Sequence, residues 1–178
     1  MLNNVKNELS LFSKYVIQQS RTNLTKGKKN VSKELYNSLD YDLNVSPNSF
    51  SLSFLMEEYG MFQDKGVKGK NSSAKAPNSP YKFGSGTGRK GGLTESINEW
   101  VRARRFQFRD KKSGRFMSYD STAFLISRSI YNKGIEASLF FTKPFERAFK
   151  RLDADIIKAY ELDVEELLKF TTNGNNKR

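Results

Sequence analysis

The 178-residue chain has no cysteine and no histidine, a single tryptophan and only four prolines. Each absence removes a class of function. Without His or Cys there is no Ser-His-Asp triad, no cysteine nucleophile, no ordinary zinc site and no disulfide framework. Any catalysis would rest on carboxylates, Lys or Tyr. No apolar run approaches the roughly 20 residues that a membrane span requires. The first residues lack the short apolar core of a signal peptide, so the sequence reads as a protein made in a cytoplasm and soluble there. Its length predicts one domain, able to bury on the order of 70% of the unfolded surface.

Positive charge is plentiful and unevenly placed. The chain carries 31 Lys and Arg against 19 Asp and Glu, a net +12. Residues 1–59 hold seven basic and six acidic side chains, and residues 119–178 hold ten and nine. Residues 60–118 hold fourteen and four, so one third of the chain carries nearly all the excess. Such a block repels itself unless an anionic surface or counterions lie against it. It reads as a face for nucleic acid or for an acidic protein patch. A solvated loop is the plainer alternative, and the glycine content of the block favours the first.

Hydrophobic spacing gives the elements. Leu2, Val5, Leu9, Phe12 and Val16 recur every three or four residues, predicting an amphipathic helix over about 2–20 that stops within 21–30. A short helical turn is expected near 31–39. Tyr41, Leu43 and Val45, then Phe50, Leu52 and Phe54, alternate with polar residues around Ser46-Pro47-Asn48-Ser49, predicting a β-hairpin over about 40–56 with one apolar face. A short helix or turn follows at 57–62. Residues 66–92 then hold seven of the twelve glycines and two of the four prolines, a loop too long for a mere connection.

Beyond it, Thr94 is placed to cap a helix whose Leu93, Ile97, Trp100 and Val101 share a face, with Arg102, Arg104, Arg105 and Arg109 at its basic end. Ser113-Gly114 reads as a turn. A helix is expected over 119–131, with Ala123, Phe124, Ile126 and Ile130 inward and Gly134 as a left-handed terminator. Residues 135–141 fit either strand or turn. A last helix over about 143–170 has Pro144 in its first turn. Its apolar stripe is read as Phe145, Phe149, Leu152, Ile156, Tyr160, Val164 and Leu167, with Asp153, Asp155, Glu161, Asp163, Glu165 and Glu166 turned away. The predicted class is α+β: a small antiparallel sheet flanked by an N-terminal helix, two middle helices and a long C-terminal helix. One domain spans 1–170, with an extended basic loop at 64–92 and a polar tail at 171–178 expected to be mobile.

No motif points to catalysis, a cofactor or a metal. Gly84-Ser85-Gly86-Thr87-Gly88-Arg89-Lys90 precedes a helix, but Lys90 is followed by Gly91 where a phosphate loop needs Ser or Thr, and no buried strand leads into it. A metal-dependent nuclease could draw on Asp40, Asp42, Glu57, Glu58, Asp64 and Lys65, yet solvated strand and turn positions explain them as well. Binding of nucleic acid without sequence preference is the stronger rival. Basic residues interleave with Tyr81, Phe83, Trp100, Phe106, Phe108 and Phe116, as stacking sites require, although the same aromatics fit core spacing. The acidic last helix is a natural counterpart to the basic block. In a homo-oligomer one subunit's acidic surface can meet the next subunit's basic loop, a heterologous contact that closes into a ring.

Two stretches carry a family resemblance. Tyr59-Gly60-Met61-Phe62-Gln63-Asp64-Lys65-Gly66-Val67-Lys68-Gly69 follows the hairpin and leads to Pro80-Tyr81-Lys82-Phe83. Ile126-Ser127-Arg128-Ser129-Ile130-Tyr131-Asn132-Lys133-Gly134-Ile135 precedes Phe140-Phe141-Thr142-Lys143-Pro144-Phe145 and the closing helix. Together they resemble the tail-completion, or head–tail joining, proteins of tailed bacteriophages, and the Lys- and Asn-rich composition suits a phage of an AT-rich host, of the crAss-like kind. The resemblance implies a non-enzymatic virion protein of the neck, assembled as a closed ring of about twelve copies around the DNA channel. Its partners would be further copies of itself, the portal or an adjacent neck ring, tail proteins and passing genomic DNA, with assembly in the host cytoplasm and no membrane. The Gly/Lys loop, longer and more basic than in shorter family members, would be an arm that orders on assembly. Lys65, Lys68, Lys70, Lys75, Lys82, Arg89 and Lys90 are its expected contacts, and Asp64, Gly66 and Gly69 set the turn at its root.

Overall fold

A computed structural model describes residues 2–27, 32–46, 49–86 and 92–175. Among these residues the protein is α+β, as its pattern predicts, with six helices and two small two-stranded antiparallel sheets. Where the sequence suggests one domain over 1–170, the contacts group into two compact units. A terminal unit comprises Met1–Glu58 and Leu139–Arg178, and an inserted unit comprises Tyr59–Ser138. Neither flank of the inserted segment has enough apolar residues for a core, so the two flanks build one together.

In the terminal unit, α1 (Asn3–Lys26) lies against α6 (Thr142–Asn175). Val5, Leu9, Phe12 and Val16 of α1 bury with Leu152 and Ala159 of α6. A second cluster joins Ile17, Leu24 and Phe140 to Leu35 of α2 (Glu34–Ser38) and to Leu39. The hairpin forms where predicted, as β1 (Asp40–Ser46) and β2 (Ser49–Leu55), with Tyr41 opposite Phe54, Leu43 opposite Leu52 and Val45 opposite Phe50. Its Pro47-Asn48 turn lies outside the described residues. Phe54 makes edge-to-face contacts with Phe12, Phe141 and Phe145 at 5.2–6.1 Å between centroids, geometry that adds to the gain from burial.

Three expectations need correction here. The first helix stops within the predicted 21–30 but runs past 20, as far as Lys26. Leu24 continues its apolar stripe, Asn23 donates to the Phe140 carbonyl at 3.1 Å, and Arg21 donates to the carbonyls of Tyr36 and Leu39 at 3.0 and 2.9 Å. The last helix runs on through Asn175, so its backbone takes in most of the supposed tail. Its buried stripe also differs: beyond Leu152 it passes through Ala159 and Asp163, while Tyr160, Val164 and Leu167 are exposed.

Asp163 explains the altered stripe. Read as a solvated carboxylate, it is 4% exposed and accepts from the Asn4 and Val5 amides at 3.0 and 3.1 Å and from Asn4 Nδ2 at 3.0 Å. No side chain of α1's own N-cap residue, Leu2, serves those amides. A carboxylate from another helix therefore satisfies otherwise orphaned donors at the positive end of α1's dipole. The small Ala159, one turn earlier, lets the helices approach.

The inserted unit comprises α3 (Tyr59–Lys65), β3 (Val67–Lys68), α4 (Gly92–Ala103), α5 (Tyr119–Lys133) and β4 (Gly134–Ile135). β3 pairs antiparallel with β4, and α4 packs on α5 through Val101 and Ala123, both fully buried. Phe124, expected inward, is exposed. Residues 135–141, ambiguous in the sequence, begin in this strand and leave it at once. Thr94 does not precede α4 but lies in its first turn. Ser118 caps α5, its hydroxyl accepting from the Ser121 amide at 3.1 Å. Gly134 does end α5, but not as a left-handed cap: at φ 86° and ψ 178° it occupies an extended region open essentially to glycine alone. There its backbone lies against the Val67 carbonyl and the Gly69 amide.

Candidate functional site

The basic loop begins inside the inserted unit. Asp64, expected at the root of an arm, is 1% exposed, and Gly66, also buried, takes φ 73°. Lys68 is held on both sides: it pairs with Gly134, its amide donates to the Tyr81 carbonyl at 2.9 Å, and its carbonyl accepts from the Phe83 amide at 2.9 Å. The Gly69 Cα lies so close to the Asn132 carbonyl that a Cβ has no room. The next two amides, of Lys70 and Asn71, donate to the carbonyls of Tyr131 and Asn132 at 2.8 and 3.2 Å, satisfying acceptors in the last turn of α5. Ala76 and Ser79 are buried beneath, and the Ser79 hydroxyl donates to the Gly66 carbonyl at 2.6 Å.

Residues 64–83 thus form a folded strap on α5 and β4, where the glycine pattern suggests an arm that orders on assembly. The reason is local: two glycines permit close backbone approach, and the helix terminus offers acceptors. Lys65 and Lys68 are half-buried; Lys70, Lys75 and Lys82 are exposed, with Lys70 Nζ 5.9 Å from the Tyr131 ring centre. Arg89 and Lys90 lie outside the described residues.

A second cationic element, read in the sequence as basic residues interleaved with Trp100, Phe106, Phe108 and Phe116 around a Ser113-Gly114 turn, stands out more. After α4 the chain turns through Arg105 at φ 51°, with the Phe106 amide donating to the Val101 carbonyl at 2.8 Å. Residues 106–117 then form a small hairpin. The Met117 amide donates to the Phe108 carbonyl at 2.8 Å and the Asp110 amide to the Arg115 carbonyl at 2.9 Å, with Arg109 bridged to Phe116. Asp110 organises the tip: its Oδ1 accepts from the Ser113 and Lys112 amides at 2.7 and 2.9 Å and from the Ser113 hydroxyl at 3.0 Å. The amide and hydroxyl of Ser113, then the Lys112 amide, hold this carboxyl below its ordinary range. Gly114, at φ 68°, completes the turn.

The acid is thereby committed to the turn, and the cations face outward. Arg104, Arg105, Arg109, Lys111, Lys112 and Arg115 are all exposed. So are Trp100, Phe106, Phe108 and Phe116. Trp100, Phe106 and Phe108 form a chain of rings at 6.2 and 5.3 Å, and the Arg109 guanidinium sits 4.6 Å from the Phe116 ring centre. Arg102 is engaged differently, 3.0 Å from Asp120, which also accepts from Asn98 at 2.6 Å. The Asn98 amide, then Arg102, holds the Asp120 carboxyl low. The turn signal, Asp110 to Gly114 between aromatic residues, was present in the sequence and could have revealed the hairpin.

Other features do not compete. A groove of about 650 Å³ on the terminal unit is lined by Ile17, Arg21, Tyr36, Leu39 and Tyr41 among others, but the Arg21 guanidinium is already bound to two carbonyls and lies over Tyr36. Among the described residues no three or more Asp or Glu converge as metal ligands, and no helix is long and apolar enough to cross a membrane. Comparison with protein-family models, with curated proteins and with solved structures gives no match.

Proposed function

We propose that this chain is a structural component of a phage neck, a head-to-tail connector that joins portal-side and tail-side proteins as one of several copies in a ring around the DNA channel. The observation that carries the reading is the inversion of the inserted unit. Its interior is made of Val67, Ala76, Ser79, Val101, Thr122, Ala123 and Ser127, while its large apolar side chains, Trp100, Phe106, Phe108 and Phe116, lie outside among cations. A surface of exposed aromatics and arginines is the composition of an interface centre, not of a solvated face. Its sixteen basic residues against six acidic ones, a net +10, suit acidic protein surfaces and a DNA channel alike. The family resemblance of the sequence supplies the biological setting.

Imaging tests this directly. Antibody or gold labelling of the chain in purified virions should mark the neck, and negative-stain images of concentrated protein or of neck assemblies should show annular particles. Label confined to the capsid shell, or absent from particles, would remove the reading.

A second reading, non-specific DNA binding as the main role, is favoured by the Trp100–Phe106–Phe108 ring chain beside arginines, the pairing used by stacking platforms for single strands. It predicts submicromolar binding at roughly 150 mM salt with a steep salt dependence.

A further inference from the structure

The helix α6 has an apolar stripe that α1 does not cover. Ile157, Tyr160 and Val164 follow one another at three- and four-residue steps, so they share a face, and they are 59%, 55% and 36% exposed. Asp153 and Glu161 lie one turn either side of Ile157, and Glu161 and Glu165 border Val164. From 153 to 169 the helix carries six carboxylates against Lys158 and Lys169, the latter 3.3 Å from Glu165 in an exposed pair that an arginine can displace. One of them, Asp163, is occupied with α1; Asp153, Glu161 and Glu165 are exposed. This surface is apolar along its centre and acidic at its rim.

The 106–117 hairpin is its chemical complement: Phe106, Phe108 and Phe116 are 41%, 37% and 61% exposed, and the only acid among them is held in the turn. We infer that the α6 stripe is the seat for the 106–117 hairpin of a second copy of this chain, the aromatic rings covering Ile157, Tyr160 and Val164 while Arg109 and Arg115 meet Glu161 and Glu165. The inference rests on the ring reading and gives it a contact.

Two alternatives fit less well. Nucleic acid on the hairpin would leave the α6 stripe uncovered. Two α6 stripes facing each other would bring like charges together at both rims. A hairpin on a stripe joins two different patches, so each copy still offers one of each. That is the heterologous contact that repeats until it closes. Steering by opposite charge makes its formation depend on salt.

The test uses the full chain at up to millimolar concentration in low salt, with self-association followed by sedimentation. Equal amounts of isotopically heavy and light protein are cross-linked, so that a heavy–light peptide pair reports a contact between copies. Heavy–light pairs joining 106–117 to 153–168 are expected. Ile157→Glu, or Arg109→Glu with Arg115→Glu, should weaken association at least ~10-fold, as loss of an interface centre does, with unchanged circular dichroism. Glu161→Lys with Glu165→Lys should do the same, and mixing this variant with the Arg109→Glu, Arg115→Glu variant should restore assembly.

Cross-links between two α6 helices would overturn the inference, as would hairpin substitutions that lower only DNA affinity. Assembly through other segments would discard this contact and keep the ring. A monomer at every concentration would also discard it, while virion imaging would still decide the ring.

Discussion

The two units of this chain solve opposite problems. The terminal unit buries Leu, Ile, Val and Phe between α1, α6 and the hairpin, and its charges nearly balance, with fifteen basic residues against thirteen acidic. The inserted unit buries small side chains and backbone, leaves its largest rings at the surface and carries a net +10. The first is held by packing that a free-standing domain needs. The second is held by close backbone contacts, at Gly69 and Gly134 above all, with its apolar area at the surface. The two units thus rest on different kinds of contact, so substitutions should separate their stabilities.

The largest effect is expected at Phe12, whose ring touches Phe54 and Phe145. Phe12→Ala should cost about 3–5 kcal/mol through lost transfer energy and the cavity left behind. Amide exchange followed residue by residue should quicken throughout α1, α6 and the hairpin. Equal acceleration in α4 and α5 would show that the units unfold as one and would remove the comparison.

Gly134→Ala is the matching change in the inserted unit. It places a Cβ against the Val67 carbonyl in a backbone conformation that favours only glycine. A cost of about 2–4 kcal/mol follows from the strain and the overlap together. Exchange should quicken first in α5, β3 and the 69–83 strap, leaving α1 protected.

Asp163 comes next. Asp163→Ala leaves the Asn4 and Val5 amides without their acceptor and should cost about 1–3 kcal/mol. Burial pushes this carboxyl up, but the donated hydrogen bonds of Asn4 and Val5 outweigh it and leave it below the ordinary value of 3.8. A carboxylate with a lowered folded value contributes stability that is complete above its unfolded value and is lost as pH falls through the folded one. Acid titration of the terminal unit should therefore show a loss below pH 3.8 that Asp163→Asn lacks. An identical acid profile in the variant would mean that the carboxylate does not support α1.

These residues also mark what the sequence could and could not reveal. The β-hairpin was legible because Tyr41, Leu43 and Val45 alternate strictly, and period two has one burial solution. The α6 stripe was not, since Phe145 to Leu167 offers two overlapping apolar faces and spacing alone does not say which one α1 takes. A buried Asp163 looks like any surface acid until the helix end that it serves is known. The strap was misjudged because glycine reads equally as freedom and as permission for close packing. At the 106–117 hairpin the turn residues were visible, but not that the turn's own amides would take up Asp110 and leave the cations unopposed.

The smallest energetic effect is the most informative. Arg105 holds φ 51° at the end of α4, where glycine is the usual solution and an arginine costs on the order of 1 kcal/mol. Its side chain is exposed beside the hairpin, so a substitution here separates backbone strain from surface contact. Arg105→Gly relieves the strain but frees the unfolded chain, so the inserted unit should keep its stability or gain up to about 1 kcal/mol. Self-association of the intact chain, or incorporation into particles, should weaken at the same time. Opposite signs in the two measurements would tie the exposed cationic end of α4 to assembly. A variant both more stable and fully competent would assign Arg105 to neither.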